Sequence, residues 1–370
     1  MIHYSVNDKI IYNRYLAEYE SYQSKKPIKL HFLDELYDQY DWSQEPEQSF
    51  EELMDQHAHA LRNKHNKLIL SWSGGTDSHT IYNVFARNRI HIDEIFTRYY
   101  PDRHYITGSH VDWLYKNHWD PTTKIRALDL SEDTSQNDVY LDEDWIFKNF
   151  SNNMRFIWTS NSPIWSSWWD EEYGSANWCN ISGFERPFVT EINGRWYYYM
   201  IDKISSYIES GPNYANFFLE PLINIKQAHI LKRVYQKLAA AGDQRNWNKS
   251  ARVSYGPLAY RALSRAYGRH DELEIGSSYK QKSMAIDTLE VKIDPGKKSN
   301  EIFIPDGHGE IRLLDGIKRG NDQALGFAKG IANLASESGF YQHFNETALE
   351  RPNHIFSLKT IHSKYRYLGD

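Results

Sequence analysis

The chain reads as an α/β protein built around a parallel sheet, and three observations predict this. Short apolar runs at 68–70, 92–99 and 124–130 have the length and composition of buried strands. Stretches with helical spacing follow or separate them, at 76–87, 109–118 and 141–150. A glycine pair, Gly74-Gly75, joins the first strand to its helix. Strands and helices alternating in this way form parallel sheets, which bind ligands at the carboxyl ends of their strands.

Residues 1–48 are polar, Tyr-rich and locally acidic through Asp34, Glu35, Asp38, Asp41, Glu45 and Glu47. They predict short helices packed on the main domain. Ser49-Phe50-Glu51-Glu52 is a capping box, with Ser49 at N-cap and Glu52 at N3, and its helix runs to about Asn63. His57 and His59 stand two apart on that helix and face different ways, so they read as packing or surface histidines ahead of a metal pair. The strand at 67–72 and its helix follow, with Ile81, Val84 and Phe85 on one helix face. The connection between the second and third strands is long and carries Arg103, His104, His110 and Lys116. It reads equally as a substrate flap or as a structural insertion.

Residues 156–178 hold Trp158, Trp165, Trp168, Trp169, Tyr173 and Trp178 among the acids Asp170, Glu171 and Glu172. Core or a subunit contact is the favoured reading, ahead of an exposed stacking surface, and leaves room for a homo-oligomer. A strand over 178–182 then ends in Ser182-Gly183, which would put Glu185 and Arg186 at the ligand edge of the sheet. A hairpin turning at Asn193-Gly194 comes next, with Asp202 at its end as a weaker metal candidate. Ile225 to Ala240 is a helix on which Gln227 and His229 read as packing residues. Residues 245–270 carry Arg245, Lys249, Arg252, Arg261, Arg265 and Arg269 and no acid, with Arg261, Arg265 and Arg269 sharing one helix face. The patch reads either as a solvated or internally paired face or as a surface for phosphates, including those of nucleic acid. A small α+β tail ends the chain, with strands at 290–293 and 301–304, a helix at 323–335 and an ordered Tyr365-Arg366-Tyr367.

With 370 residues there is room for two domains, or for one large and one small. Aromatic residues form 15% of the chain, with 12 Trp and 27 Tyr, which argues for a real core and against a disordered chain. A net charge of −6 makes no global case for nucleic acid or a membrane surface. No run of about 18 apolar residues occurs, so no membrane span is expected. The opening Met-Ile-His-Tyr-Ser-Val-Asn-Asp lacks a signal-peptide pattern, and a cytoplasm is the expected place of action. Cys179 is the single cysteine, which excludes an intramolecular disulfide and a cysteine-based zinc site.

The stretch Ser73-Gly74-Gly75-Thr76-Asp77-Ser78 carries the chemistry. A strand, a Gly-rich turn and a helix N-terminus present backbone N–H groups to an anion, and paired glycines allow positive φ and close approach of a phosphate. Ser73 and Ser78 add hydroxyls. Asp77 beside such a cradle would repel phosphate unless a divalent cation lay between them, so Asp77 is a candidate Mg²⁺ contact. No Gly-Lys-Ser/Thr follows the glycines, so this is not a Walker A loop.

This stretch matches Ser-Gly-Gly-x-Asp-Ser, and on it the chain resembles the PP-loop (N-type) ATP pyrophosphatases. The likeness covers about residues 50–205 and fades beyond. With the capping-box helix and the Gly183-Phe184-Glu185-Arg186-Pro187 turn, it looks most like asparagine-synthase-like or sulfonucleotide-reductase-like PP-loop proteins of tailed phages, which implies a host cytoplasm. The resemblance implies a HUP-like (adenine nucleotide alpha hydrolase-like) parallel-sheet domain at 66–215. An N-terminal helical extension at 1–65 and a smaller helical and α+β region at 216–370 would flank it.

The resemblance also implies ATP and Mg²⁺ as cofactors. Ser73, Gly74, Gly75, Thr76, Asp77 and Ser78 would bind the nucleotide. In such enzymes an acid beyond a late Gly turn helps hold Mg²⁺, a role that falls by position to Glu185, with Arg186 as a phosphate or leaving-group contact. Asp77, Glu185 and Arg186 are thus the expected catalytic residues and Asp77 and Glu185 the metal contacts. An ordinary surface ion pair is the plainer reading of Glu185 and Arg186. The lone Cys179 departs from the thiouridine, deazaguanine and sulfonucleotide branches, and position 2 lacks the cysteine of a glutaminase.

Three functions stay open on the sequence. One is an adenylating ligase or amidotransferase that splits ATP to AMP and pyrophosphate and activates a carboxylate, amide or base carbonyl for C–N bond formation. A second adenylates a base in tRNA or DNA, using Arg252, Arg261, Arg265 and Arg269. The third is a non-catalytic nucleotide-binding partner of another protein, with the Trp-rich segment as interface.

Overall fold

The computed structural model describes residues 2–12, 14–74, 76–99, 108–129, 169–174, 176–183, 187–200, 213–240 and 361–370. The expected helix at 141–150, the arginine patch at 245–270, Trp158, Trp165, Trp168, Asp202 and the tail elements at 290–335 lie outside these residues.

The N-terminal segment departs from its expectation. Strands β1 (His3–Val6) and β2 (Lys9–Ile11) form a hairpin, and β3 (Lys29–His31) pairs with the other edge of β1, making a three-stranded antiparallel sheet. Helices α1 (Arg14–Ser24) and α2 (Asp34–Tyr37) accompany it. A purely helical extension is therefore wrong. The hairpin turns on Asn7 and Asp8 at φ 49° and 66°, a left-handed pair made without glycine. Its inward residues, Tyr4 and Val6, are too few to stand out from a Tyr-rich background.

Helix α3 (Phe50–Lys64) starts as its sequence predicts. The Glu52 backbone N–H donates to Ser49 Oγ at 3.1 Å, and the Ser49 N–H donates to the Glu52 carboxylate at 2.7 Å. Glu51 and Glu52 in the first turn and Arg62 and Lys64 in the last suit the helix dipole.

From there the chain builds a five-stranded, wholly parallel sheet: β4 (Lys67–Ser71), β5 (Glu94–Tyr99), β6 (Lys124–Asp129), β7 (Trp178–Ser182) and, further on, a short last strand at Tyr214–Asn216. Helices α4 (Thr76–Arg87) and α5 (Gly108–Asn117) follow β4 and β5. Strands β8 (Phe188–Ile192) and β9 (Arg195–Tyr199) form the expected hairpin, with Asn193 and Gly194 at φ 52° and 77°. The Tyr214–Asn216 strand is β10, helix α6 spans Pro221–Ala240, and β11 (Arg366–Tyr367) pairs with β9.

The order across the parallel sheet is β10-β7-β4-β5-β6. Leu68, Ile69 and Leu70 of β4 are fully buried, as a strand covered on both faces requires. One face meets α3, α4 and α6 through Leu68, Leu70, Ile81, Phe85, Ile181 and Leu231, all in one core. The other face buries Ile69, Phe96 and Trp178 under Trp169.

That second face also holds a buried carboxylate. Glu94 has no exposed side-chain surface and accepts from Arg126 Nε at 2.8 Å, Arg126 Nη2 at 3.2 Å, Trp169 Nε1 at 3.1 Å and the Tyr173 hydroxyl at 2.8 Å. Glu172 completes the network with ion pairs to Lys124 and Arg126. Trp169 is thus core, as the favoured reading of the Trp-rich segment had it.

The acidic run at 34–47 finds its cations far along the chain. Arg366, only 5% exposed, pairs with Asp34 at 2.8 Å and Asp38 at 2.9 Å, and its guanidinium lies over the Tyr37 and Trp42 rings. Glu45 pairs with Lys226 at 2.9 Å and with Arg233. Lys232 Nζ donates to the carbonyls of Leu368, Gly369 and Asp370 at 3.1, 3.0 and 2.7 Å, fastening residues 368–370 to α6.

Two outcomes follow for stability. Glu94→Ala takes one carboxylate from Arg126, which keeps Glu172, and strands two aromatic donors, and should lower the unfolding free energy in urea by roughly 3–5 kcal/mol. A loss under about 1 kcal/mol would show the network to be peripheral. The second concerns His57, whose ring packs on Phe217 at 4.9 Å and whose Nε2 is shut off from solvent with no partner among the described residues. Burial, helped slightly by Lys64, lowers its pKa from 6.5 to about 4. The unfolded chain then binds a proton that the folded chain does not, so stability falls as pH drops from about 6.5 to about 4. His57→Gln lacks this loss, so its stability relative to wild type should rise by roughly 3 kcal/mol between neutral pH and about pH 4. A constant difference would contradict the buried imidazole.

Candidate functional site

The sheet order dictates where a ligand would go. The chain runs from β4 outward through β5 to β6, then returns to place β7 on the opposite edge of β4. The chain goes on from β4 to β5 on one side and from β7 to β10 on the other, so the ends of β4 and β7 form the switch point at which parallel sheets place ligands, the candidate crevice. Leu70 and Ile181 are Cα partners, so the two strands finish side by side. The loop at 72–76 stands at one lip of the crevice and Gly183 at the other.

The loop is braced from within. The Trp72 N–H donates to the Phe96 carbonyl at 2.8 Å, carrying the β4–β5 pairing one residue further. Ser78 is 5% exposed, and its Oγ accepts the Ser73 N–H at 3.0 Å and lies 3.1 Å from Ser73 Oγ. Ser78 therefore shapes the turn, while Ser73 is exposed to an approaching ligand. Gly74 takes φ 66°, the left-handed conformation that glycine tolerates best. The helix begins at Thr76, with Asp77 part-buried in its first turn. The resulting cradle combines backbone N–H groups, hydroxyls and a helix N-terminus with one carboxylate.

Gly183 locks the other lip. A Cβ placed on it would lie 2.9 Å from Ile81 Cδ1 and 3.2 Å from both the carbonyl carbon and Cβ of Asp77. Any larger residue at the end of β7 would have to push the Ile81 side chain aside and shift Asp77 by a few tenths of an ångström. The sequence marks Gly183 as the end of a strand; its contact with Asp77 is tertiary.

An aromatic wall behind the loop was not foreseen. Trp72 and Trp113 stack at 6.1 Å, and His79 lies 5.3 Å from Trp113 and 5.4 Å from Tyr82. These rings wedge α5 against the start of α4 and fix the loop's rear side. A tryptophan immediately before the Ser-Gly-Gly turn was the available signal.

The expected site residues divide as follows. Ser73, Gly74, Asp77 and Ser78 come together at the crevice. Thr76 is placed there by its backbone as the first residue of α4. Gly75, Glu185 and Arg186 lie outside the described residues, and Arg252, Arg261, Arg265 and Arg269 do too. Gln227 is fully buried and His229 bonds the Trp42 carbonyl at 3.0 Å, both in packing roles. Cys179 is 1% exposed, and desolvation pushes its thiol up to about 12.

Among the described residues no group of three or more His, Cys, Asp and Glu forms a metal cage. A Mg²⁺ carried by a nucleotide needs none, because phosphate oxygens and water fill most of its shell and one or two carboxylates suffice. Asp77, half-open beside the cradle, fits that part.

The fold defined here is an α/β protein with a five-stranded parallel sheet and a candidate anion cradle at its switch point. No family model matches the chain, and no curated protein matches it. No helix among the described residues is long and apolar enough to cross a membrane.

Gly183→Ala tests the geometry. The added methyl must displace Ile81 or Asp77, so an anion held at the candidate cradle, probed with Mg·ATP, should be bound at least about tenfold less tightly, roughly 1.4 kcal/mol. A fold retained by circular dichroism would separate that loss from unfolding. Unchanged affinity would mean that the lip of β7 has no part in the site.

Proposed function

We propose that the chain is an ATP-dependent adenylating enzyme of the PP-loop type, cleaving ATP to AMP and pyrophosphate. The observation that carries this reading is the braced Ser73–Ser78 turn at the β4–β7 crevice, with Asp77 held between the helix N-terminus and Gly183. The loop N–H groups and the Ser73 hydroxyl would bind the β- and γ-phosphates, where charge gathers on the departing pyrophosphate. Asp77 would hold Mg²⁺ brought by the nucleotide, with Glu185 as the second contact that the resemblance implies. When bound, that ion neutralises phosphate charge and favours departure of pyrophosphate. Arg186 takes the leaving-group contact.

The acceptor is a carboxylate, amide or base carbonyl whose oxygen attacks the α-phosphorus; an amine then displaces AMP and forms a C–N bond. The state of Cys179 supports this second step over sulfur transfer, since a buried thiol with a pKa near 12 supplies no thiolate at neutral pH. Positioning on rigid strand ends and electrostatic neutralisation supply the rate.

Pyrophosphate release from Mg·ATP, assayed with pools of amino acids, nucleosides, tRNA and DNA, tests the proposal. Wild type should form AMP and pyrophosphate with one pool, and Asp77→Ala should cut the rate by about 10²-fold or more. ADP and phosphate as products would sink it.

A further inference from the structure

At the carboxyl edge of the sheet, next to the cradle, two buried oxygens have no hydrogen-bond partner among the described residues. Ser182, the last residue of β7, is 1% exposed, and its Oγ is shut off from solvent. Asn216, the last residue of β10, is half-buried, and its Oδ1 is likewise enclosed. The two residues are Cα partners in the parallel ladder, so their side chains stand on one sheet face and on neighbouring strands. That face is polar toward this edge. Ser71 Oγ donates to Asn180 Oδ1 at 2.9 Å, which ties β4 to β7 one step below Ser182.

An orphaned buried oxygen is costly, and a pair of them in register at the strand ends points to a ligand group that would satisfy them. The chemistry of the pair limits what that group is. The Asn216 oxygen only accepts, and the Ser182 hydroxyl accepts while keeping one proton to give. Phosphate and carboxylate oxygens, which also accept, do not satisfy both. The pair needs at least one O–H or N–H donor, for Asn216, beside a group that can give to or take from Ser182, and hydroxyls do both. Position limits it further: Gly183, adjacent to Ser182, touches Asp77, and β10 is one strand spacing, about 5 Å, beyond β7. Such a position is within reach of a molecule whose phosphates occupy the cradle.

We propose that Ser182 and Asn216 receive the vicinal diol of a ribose, making the site selective for ribonucleotides over dideoxynucleotides. This rests on the phosphate-cradle reading above. The 2′- and 3′-hydroxyls supply two adjacent donors, and Ser182 can return its proton to one of them. Asn180, tied to Ser71, positions β7 for this contact.

Equilibrium binding of Mg·ATP and of Mg·2′,3′-dideoxy-ATP to the full chain by calorimetry tests the assignment without requiring turnover. Wild type should bind ATP at least about tenfold more tightly than the dideoxy analogue. Ser182→Ala and Asn216→Leu should each shrink that ratio severalfold by weakening ATP and leaving the analogue unchanged. Equal affinity for the two nucleotides in wild type would overturn the diol assignment and leave the cradle standing, and it requires no variant to fold. Discrimination that survives in both variants would overturn it too. Failure of both nucleotides to bind would overturn the cradle reading and this assignment together, whereas selective binding of ATP without its cleavage would refute only the adenylation chemistry.

Discussion

Strand β4 is hydrogen-bonded in parallel on both edges, to β5 and to β7, and most of the structure depends on that placement. Its backbone groups are satisfied only when both neighbours are in register, and its side chains only when both faces are covered. The sheet, the helices on one face and the aromatic cover on the other are therefore mutually required. The crevice is a by-product of the same arrangement. It exists because the chain must leave β4 toward β5 and later come back to the far side. Gly183 at the end of β7 then comes close to Asp77 and Ile81 of α4.

The two faces of the sheet are built on different physics. Toward α3, α4 and α6 the contact is apolar and continuous, drawing Phe217, Phe218 and Leu231 into the same core as Leu70 and Ile181. On the other face a charged group sits at the centre, and four hydrogen bonds from Arg126, Trp169 and Tyr173 compensate for the cost of burying Glu94. The apolar side gives most of the driving force for folding. The polar side tolerates few alternative registers, since a one-residue slip would strand the carboxylate. A cradle mounted on strand ends so constrained starts out preorganised.

The candidate site was partly legible in local pattern. Ser49 and Glu52 announce α3, and Asn193-Gly194 announces the β8–β9 hairpin, because capping and turn chemistry act over three or four residues. The Ser73–Ser78 stretch is equally local, since a glycine turn between an apolar strand and an amphipathic helix means the same in any context. The β1–β2 hairpin escaped notice because Asn7 and Asp8 reach positive φ without glycine. The role of Ser78 was only half visible. Its side chain reads as a phosphate donor in sequence, yet it is turned inward to hold Ser73.

What the sequence determined by itself was the class of the fold and the position of the loop between β4 and α4, both carried by short-range periodicity and residue chemistry. Only the tertiary structure decided that Gly183 meets Asp77, that Ser182 and Asn216 stand in register, and that Arg366 neutralises Asp34 and Asp38. Each of these joins segments separated by tens to hundreds of residues. Strand order sets such meetings, and a parallel strand carries no local mark of which neighbour it will choose.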